Sequence, residues 1–320
     1  MDRPSVTAGA RCLVTGGAGF IGSNLVDRLL EGGADVRVLD DFSTGKRENL
    51  EKAGDRVEVL QGSITDTALC AQACKGVDYV FHQAALPSVE RSVLEPASTH
   101  AVDATGTLNV LCAAKDAGVR RVVYAGSSSA YGDTPVLPKQ EDMATNPRSP
   151  YAVAKLAGEM YCRVFADVYD FETVVLRYFN IFGPRQDPQS QYSAVIPLFV
   201  VKAFGGVAPL INGDGGQTRD FTYIDNAVDA NVLAATRPAE GVSGEVFNVG
   251  CGDRTSINTL WEEIKRITGS AVNAEYGPPR AGDVRDSLAD LGRITERLGF
   301  EAGVSLGEGL ERTCAWLSQR

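Results

Sequence analysis

The sequence predicts an α/β protein: a doubly wound parallel sheet with a smaller α/β unit interleaved near the C-terminal end. Three observations predict it. Short apolar runs alternate with helix-period stretches through the first half. The first run ends in a glycine cluster that opens a helix. The second half loses this rhythm but returns one strand-like run, EVFNVG at 245–250, able to rejoin the sheet.

Taken in order, Arg11–Thr15 reads as a buried strand. Ile21, Leu25, Leu29 and Leu30 mark a helix over 20–31, stopped by Gly32-Gly33. Asp35–Asp40 is the next strand, and 57–60, 79–81, 122–124 and 173–176 continue the series. Helical stretches fall at 66–75, 97–117 and 150–169. Residues 181–224, rich in Gly, Pro, Asn and Asp, read as a long loop-rich excursion. A helix is expected at 225–235, another through Leu260, Ile264 and Ile267 ending at Gly269, and two short ones over 290–318.

Composition narrows the function classes. With 320 residues, 44% hydrophobic and 22% charged, the chain has the balance of an ordinary globular protein, not of a disordered or fibrous one. No run of about 18 apolar residues is present, so no membrane span is expected. A net charge of -10 without a basic cluster argues against nucleic-acid or anionic-membrane binding. The opening MDRPSVTAGARCLVTGG has no long apolar segment, so a cytoplasmic location is expected. The seven scattered cysteines then read as reduced thiols, and two histidines, His82 and His100, are too few for a His-rich metal site.

The segment Thr15-Gly16-Gly17-Ala18-Gly19-Phe20-Ile21-Gly22 lies between the first strand and the first helix. Gly16 permits a tight turn, Gly19 lets the backbone approach a pyrophosphate, and Gly22 lets helix and strand pack closely. The helix N-terminus offers free N–H groups to phosphates. Asp40 ends the second strand, 18 residues after Gly22. A carboxylate there accepts the adenosine ribose hydroxyls and repels a 2′-phosphate, which favours NAD over NADP. Lys46 and Arg47 are the residues that would argue for the phosphate instead.

Ser149 and Pro150 open the 150–169 helix as cap and first-turn residue. Tyr151 and Lys155 are four apart and share one face. For a tyrosine to act as a base near neutrality its pKa must fall by roughly three units, which a neighbouring ammonium and a positive nicotinamide ring can supply. Gly126-Ser127-Ser128-Ser129-Ala130-Tyr131-Gly132 follows the strand at 121–125, placing hydroxyls at a strand's carboxyl end. A serine there can relay a proton to Tyr151.

Together these motifs make the chain resemble, over nearly its whole length, the extended short-chain dehydrogenase/reductases of the nucleotide-sugar epimerase/dehydratase family. The resemblance rests on TGGAGFIG at 15–22, DDFSTG at 40–45, FHQAA at 81–85, GTLNV at 106–110, SSSAYG at 127–132, YAVAK at 151–155, RYFN at 177–180, RDFTYID at 219–225 and RAGD at 280–283. It implies a Rossmann-type unit at 1–180 plus 225–250 and a nucleotide-sugar-binding unit at 181–224 plus 251–320. It implies that Gly16, Gly19, Phe20, Ile21, Gly22, Asp40, Asp41, Phe42, Ser43, Thr44 and Gly45 hold NAD, with Ser63 and Ile64 toward adenine. Gln83, Ala84, Ala85, Tyr178, Tyr151 and Lys155 would line the nicotinamide end. Tyr151, Lys155, Ser127 and Ser128 would carry the chemistry. Ser88, Ser129, Asn180, Ala194, Val195, Arg219, Arg280 and Ser287 would meet the substrate, and no metal is implied. Two positions depart from the family pattern: Ser63 replaces an aspartate, and Asp103 replaces the asparagine that precedes GT.

Dehydratases of this kind resemble T-D-E-V-Y-G at the serine turn, and uronate decarboxylases carry a glutamate just before VYG. Ser127-Ser128-Ser129-Ala130 has no carboxylate, which leaves oxidation and re-reduction at one carbon, as in a 4-epimerase. Members that exclude N-acetyl sugars resemble this region with a tyrosine where Ser287 stands. The segments 82–86, 180–188 and 190–197 resemble the UDP-N-acetylglucosamine 4-epimerases. UDP-GlcNAc/UDP-GalNAc is therefore the expected pair, with UDP-Glc/UDP-Gal a second. A UDP-glucuronate 4-epimerase is the alternative, although Asp187 stands where such enzymes tend to carry an arginine. A dehydrogenase or a non-catalytic NAD-binding regulator of the same fold is the other. Relatives pair the helices near 97–117 and 150–169, which implies a homodimer. Leu108, Leu111, Met160 and Val164 face either that partner or the sheet.

Overall fold

The computed structural model describes residues 3–188, 194–279 and 284–320. Seven strands form the main sheet: β1 (Arg11–Thr15), β2 (Asp35–Asp40), β3 (Val57–Gln61), β4 (Tyr79–His82), β5 (Arg121–Ser127), β6 (Glu172–Tyr178) and β7 (Val246–Val249). Their order is β7-β6-β5-β4-β1-β2-β3, and every pairing is parallel. The order reverses between β1 and β4, and ligands of such sheets sit beyond the carboxyl ends at that point.

Consecutive strand residues feed two cores, as the two-residue side-chain period requires. Val14, Val38, Phe81, Val123 and Leu176 join one core; Leu13, Leu39, Val80, Val122 and Val175 join the other. Helices α1 (Phe20–Glu31), α2 (Thr67–Cys74), α3 (Val89–Leu94) and α4 (Pro96–His100) come next in chain order. A π-helical turn, Ala101–Gly106, leads from α4 into α5 (Thr107–Asp116), and α6 spans Pro150–Tyr169. The single 97–117 helix of the sequence reading is thus three segments. Its wide turn packs hard against the segment between β3 and α2, because a side chain at Gly106 would collide with Ile64.

The 181–224 excursion is more regular than expected. It holds α7 (Val195–Phe204), an almost wholly apolar run with Pro197 in its first turn. Uniform apolarity removes the polar intervals by which a helix is recognised in sequence. Helices α8 (Ile224–Thr236), α9 (Ile257–Thr268), α10 (Gly292–Leu298) and α11 (Leu306–Leu317) follow. Three short strand pairs knit this half: Ile181–Phe182 with Thr222–Tyr223, Thr218–Arg219 with Thr255–Ser256, and Leu210–Asn212 with Glu275–Gly277. The buried Arg121 ties α8 to the sheet by donating to the Ala234 and Arg237 carbonyls at 2.7 Å.

Leu111 is buried against the sheet, whereas Met160 and Val164 lie exposed on α6 beside Val153 and Val168. No described helix is long and apolar enough to cross a membrane.

Candidate active site

At the end of β1 the chain turns through Gly16, whose φ of +68° favours glycine. A Cβ there would lie 2.7 Å from the Ala84 backbone, so only glycine lets this turn pass the extension of β4. At Gly22 a Cβ would come within 2.1 Å of the Gly16 carbonyl, so the first turn of α1 closes directly on the loop. The N-cap of α1 is Gly19, without a capping side chain. Gly16, Gly19, Phe20 and Ile21 keep partial exposure along this mouth. A bare helix N-terminus of this kind suits a pyrophosphate.

Asp40 is buried at the end of β2. It accepts the Ala18 N–H at 2.9 Å and the Phe42 N–H at 2.8 Å, and burial raises its pKa. Asp41 caps Ser43 at 2.9 Å, and a Cβ at Gly45 would press on Ala18. Phe42, at a φ of +59°, lies under the Arg47 guanidinium at 4.2 Å. Arg47 also donates to Gln61, and Lys46 pairs with Asp187 at 3.0 Å, so both cations are engaged elsewhere than at a ribose phosphate. Turn, helix end and strand-end carboxylate fit a dinucleotide with a free ribose diol. The Ser63 hydroxyl takes the Thr65 hydroxyl at 3.0 Å, and Ile64 is buried next to it.

The chemical corner lies beyond β4, β5 and β6. His82 is buried between the Thr15 hydroxyl at 2.6 Å and the Thr107 hydroxyl at 3.0 Å. Burial, then the Lys155 charge, push its pKa down to about 3, so it is a neutral clamp between β1, β4 and α5. The Ala84 N–H reaches the same Thr15 hydroxyl at 3.3 Å, which fixes the Gln83–Ala85 backbone. The Gln83 amide is bound to the Tyr178 hydroxyl at 3.2 Å and to Asn231 at 3.0 Å. The Asn231 amide also donates to the Tyr178 hydroxyl, at 2.7 Å.

Ser149 caps α6 by accepting the Ala152 N–H at 3.1 Å, with Pro150 in the first turn. Tyr151, Lys155 and Glu159 then fall at four-residue steps on one stripe. The Lys155 ammonium lies 4.4 Å from the centre of the Tyr124 ring, and burial lowers its pKa to about 8. Burial, then the Asp103 charge, push the Tyr151 phenol up to about 12, while a hydrogen bond with Ser127 acts the other way. The hydroxyl set beside Tyr151 is thus that of Ser127, which also meets the Ser129 hydroxyl at 2.8 Å; Ser128 opens the following 3-10 turn. The phenol and the Ser127 hydroxyl meet, and Lys155 lies one turn further along the same face of α6, a set of groups by which a proton can be drawn from an alcohol and given back.

Behind this corner lies a network that the sequence reading missed. Glu159 holds Arg177 through bonds of 2.9 and 2.5 Å, both side chains buried. Arg177 stacks on Tyr131 at 4.6 Å, and the Tyr131 hydroxyl donates to Asn248 at 2.6 Å. The turn after β5 is thereby fastened to α6, β6 and β7. The available signal was Glu159, one more step along the Tyr151–Lys155 stripe.

Among the residues expected to meet the substrate, Asn180 adopts a φ of +35° and donates to the Asp220 carbonyl at 3.2 Å. Arg219 donates to the Thr218 carbonyl at 2.8 Å, and the Ser287 N–H donates to that carbonyl at 3.2 Å. These three residues therefore gather at one edge. A cavity of about 460 Å³ opens beside them, lined by Asn212, Asp214, Gln217 and Arg285 among others. Ser88 caps α3 by accepting the Arg91 N–H at 3.0 Å, and Ala194 and Val195 begin α7. Arg280 and residues 190–193 lie outside the described residues.

Comparison with known proteins gives a consistent family. The sequence profile of the NAD dependent epimerase/dehydratase family matches residues 12–250. The chain is 43% identical to a UDP-glucose 4-epimerase of Mycolicibacterium smegmatis, covering 95% of this chain and 97% of that one. It is 33% identical to a UDP-N-acetyl-alpha-D-glucosaminuronate decarboxylase of Bacillus cytotoxicus, over 97% of this chain and 98% of that one. The solved UDP-N-acetylglucosamine 4-epimerase of Methanobrevibacter ruminantium, in complex with UDP-N-acetylmuramic acid, superposes with a TM-score of 0.92. It is 37% identical and covers 98% of this chain and 100% of that one.

Proposed function

Because this chain belongs to the NAD dependent epimerase/dehydratase family, and so takes NAD, we propose that it is a UDP-sugar 4-epimerase acting on UDP-GlcNAc and UDP-GalNAc, with UDP-Glc and UDP-Gal as a second pair. One observation carries the reading: the Tyr151 phenol meets the Ser127 hydroxyl at the end of β5, with Lys155 one turn further along the same helix face, and the 127–130 turn has no carboxylate for expelling water or activating a uronate. Gly16, Gly19 and the α1 N-terminus hold the pyrophosphate, and Asp40 takes the adenosine ribose.

Bound NAD supplies the acceptor, and then the donor, of the C4 hydride. Tyr151 accepts the C4 hydroxyl proton and later returns it. Ser127 bridges sugar hydroxyl and phenol. Lys155 lends positive charge that favours the phenolate, working against the burial that holds the phenol near 12. Arg219 and Arg280 grip the diphosphate by charge-assisted bonds while the sugar presents one face and then the other. The exposed α6 residues Val153, Met160, Val164 and Val168 are the surface by which two copies pair.

The substrate assignment rests on Ser287, half-buried beside Thr218 and Arg219, where a small side chain leaves room for a 2-acetamido group. The test is incubation with UDP-GlcNAc, and separately with UDP-glucose, with separation of products. The expected result is conversion of both, with Ser287→Tyr losing UDP-GlcNAc turnover about tenfold or more and keeping UDP-glucose turnover. Conversion of UDP-glucose alone by the unaltered chain sinks the N-acetyl assignment and leaves the 4-epimerase reading standing.

A further inference from the structure

Two walls flank the mouth of the glycine turn. One is α1. The other is the 40–46 loop, fastened to the turn at Ala18: Asp40 accepts the Ala18 N–H at 2.9 Å, and the Lys46 N–H donates to the Ala18 carbonyl at 3.0 Å. A segment from far along the chain, 184–187, touches both walls. On α1, the Asn24 amide donates to the Pro184 carbonyl at 3.2 Å, and Arg185 donates to Asp27 at 2.5 Å. On the loop, Asp187 pairs with Lys46 at 3.0 Å. Arg185 sits at a φ of +73°, a left-handed conformation that a long side chain keeps only where its surroundings fix it.

We propose that residues 184–187 are a clasp across the NAD site: the two walls part only when the Arg185–Asp27 and Asp187–Lys46 pairs break, and that opening sets how fast NAD exchanges. The inference rests on the NAD placement given above and on no particular sugar. It suits a cycle in which the hydride taken from the substrate is returned to it. NAD is then regenerated in place, and its release serves no step.

The two pairs hold unequally. Arg185 and Asp27 have side chains 15% and 12% exposed, so little water screens them, whereas those of Lys46 and Asp187 are 44% and 33% exposed. The first pair is therefore the firmer hold. Both pairs join protein to protein, so they hold the walls together with or without the dinucleotide. Breaking one then speeds entry as much as exit and leaves the equilibrium affinity nearly unchanged. The rival role is a direct grip: Arg185 Nη1 is buried without a partner among the described residues. If it held NAD, its loss would speed release alone, and Kd would rise in step.

Arg185→Asn removes the charge with a residue that tolerates the left-handed backbone. The experiment follows NAD leaving the loaded protein, without any sugar nucleotide, by trapping freed NAD with excess alcohol dehydrogenase and ethanol and reading NADH absorbance. Equilibrium dialysis gives Kd beside it. Release from Arg185→Asn is expected to be about tenfold faster, with Kd unchanged to within about twofold. Lys46→Ala, at the more open pair, should release about two- to threefold faster, and Arg185→Lys should keep most of the retention. Release that stays at the unaltered rate in Arg185→Asn, with the denaturation midpoint in place, overturns the clasp. A rise in Kd equal to the rise in release rate overturns it too, in favour of the direct grip. If Arg185→Asn fails to fold, Lys46→Ala decides: an unaltered release rate there sinks the proposal. A protein that neither carries nor takes up NAD fails at the cofactor placement itself, an outcome distinct from NAD that binds and leaves at an unaltered rate.

Discussion

Two ion pairs mark the two sides of the candidate site. Behind the chemical corner, Glu159 and Arg177 meet at 2.9 and 2.5 Å with side chains 1% and 3% exposed. At the edge that gathers Asn180, Arg219 and Ser287, Arg285 and Asp214 meet in a similar two-bond geometry, 2.8 and 3.1 Å, with side chains 59% and 66% exposed. The bond lengths differ little; the surroundings differ greatly. In the corner, charges without water have one arrangement, and Tyr131, Asn248 and α6 are locked to it. At the edge, water screens the pair, and an arriving anion can take over one partner. The corner is rigid in advance of any ligand, as the proposed proton transfer requires, and the edge is one that a ligand can rearrange.

The most severe test of that contrast removes the phenol. Tyr151→Phe takes out one hydroxyl from a half-buried position on a capped helix. The expected loss is on the order of 10³-fold in kcat, with the denaturation midpoint and the bound NAD unchanged. Loss of folding together with activity would mean that Tyr151 holds the corner rather than acting in it. Product analysis beside a thermal melt separates the two.

The next test weighs burial itself. Glu159→Gln keeps the shape but leaves Arg177 as a buried cation without its counter-charge. Breaking a buried pair from one side costs about 3 kcal/mol. A matching drop in stability by denaturant titration is expected, and the turn carrying Ser127 should loosen with it. A drop well under about 1 kcal/mol would show that the Tyr131 stack and the Glu141 carbonyl, which Arg177 also reaches at 3.3 Å, are enough to hold the guanidinium.

The same contrast explains what could be read from the chain beforehand. Arg11–Thr15, Asp35–Asp40 and α6 were legible to the residue, because alternation into two cores, Gly16 and the Ser149 cap each act locally. That Tyr151 and Lys155 share a helix face was legible because four residues on a helix make a fixed distance. Glu159 with Arg177, and Gln83 with Tyr178 and Asn231, were not, since they join residues 18 to 148 positions apart. Which serine hydroxyl lies beside Tyr151 was not legible either, since it depends on the end of β5, which runs to Ser127 itself. At the edge, α7 was hidden by its unbroken apolarity, and the small strand pairs were hidden because two or three residues carry no period.

The smallest expected effect lies at that edge. Arg285 holds the Asp214 carboxyl down to about 2, with help from the Gly216 N–H, yet both side chains stand in solvent and the pair is screened. Arg285→Ala should leave the denaturation midpoint where it is, because water replaces the partner. Arg285 also lines the cavity beside Arg219, and its carbonyl accepts the Thr218 N–H at 3.0 Å through main chain that the substitution keeps. The backbone of the edge therefore survives and only the charge is lost. A few-fold rise in KM for the UDP-sugar with kcat unchanged is expected, the pattern of binding lost equally from ground state and transition state. A fall in kcat instead would place Arg285 in the chemistry and erase the division between a pre-built corner and a rearrangeable edge.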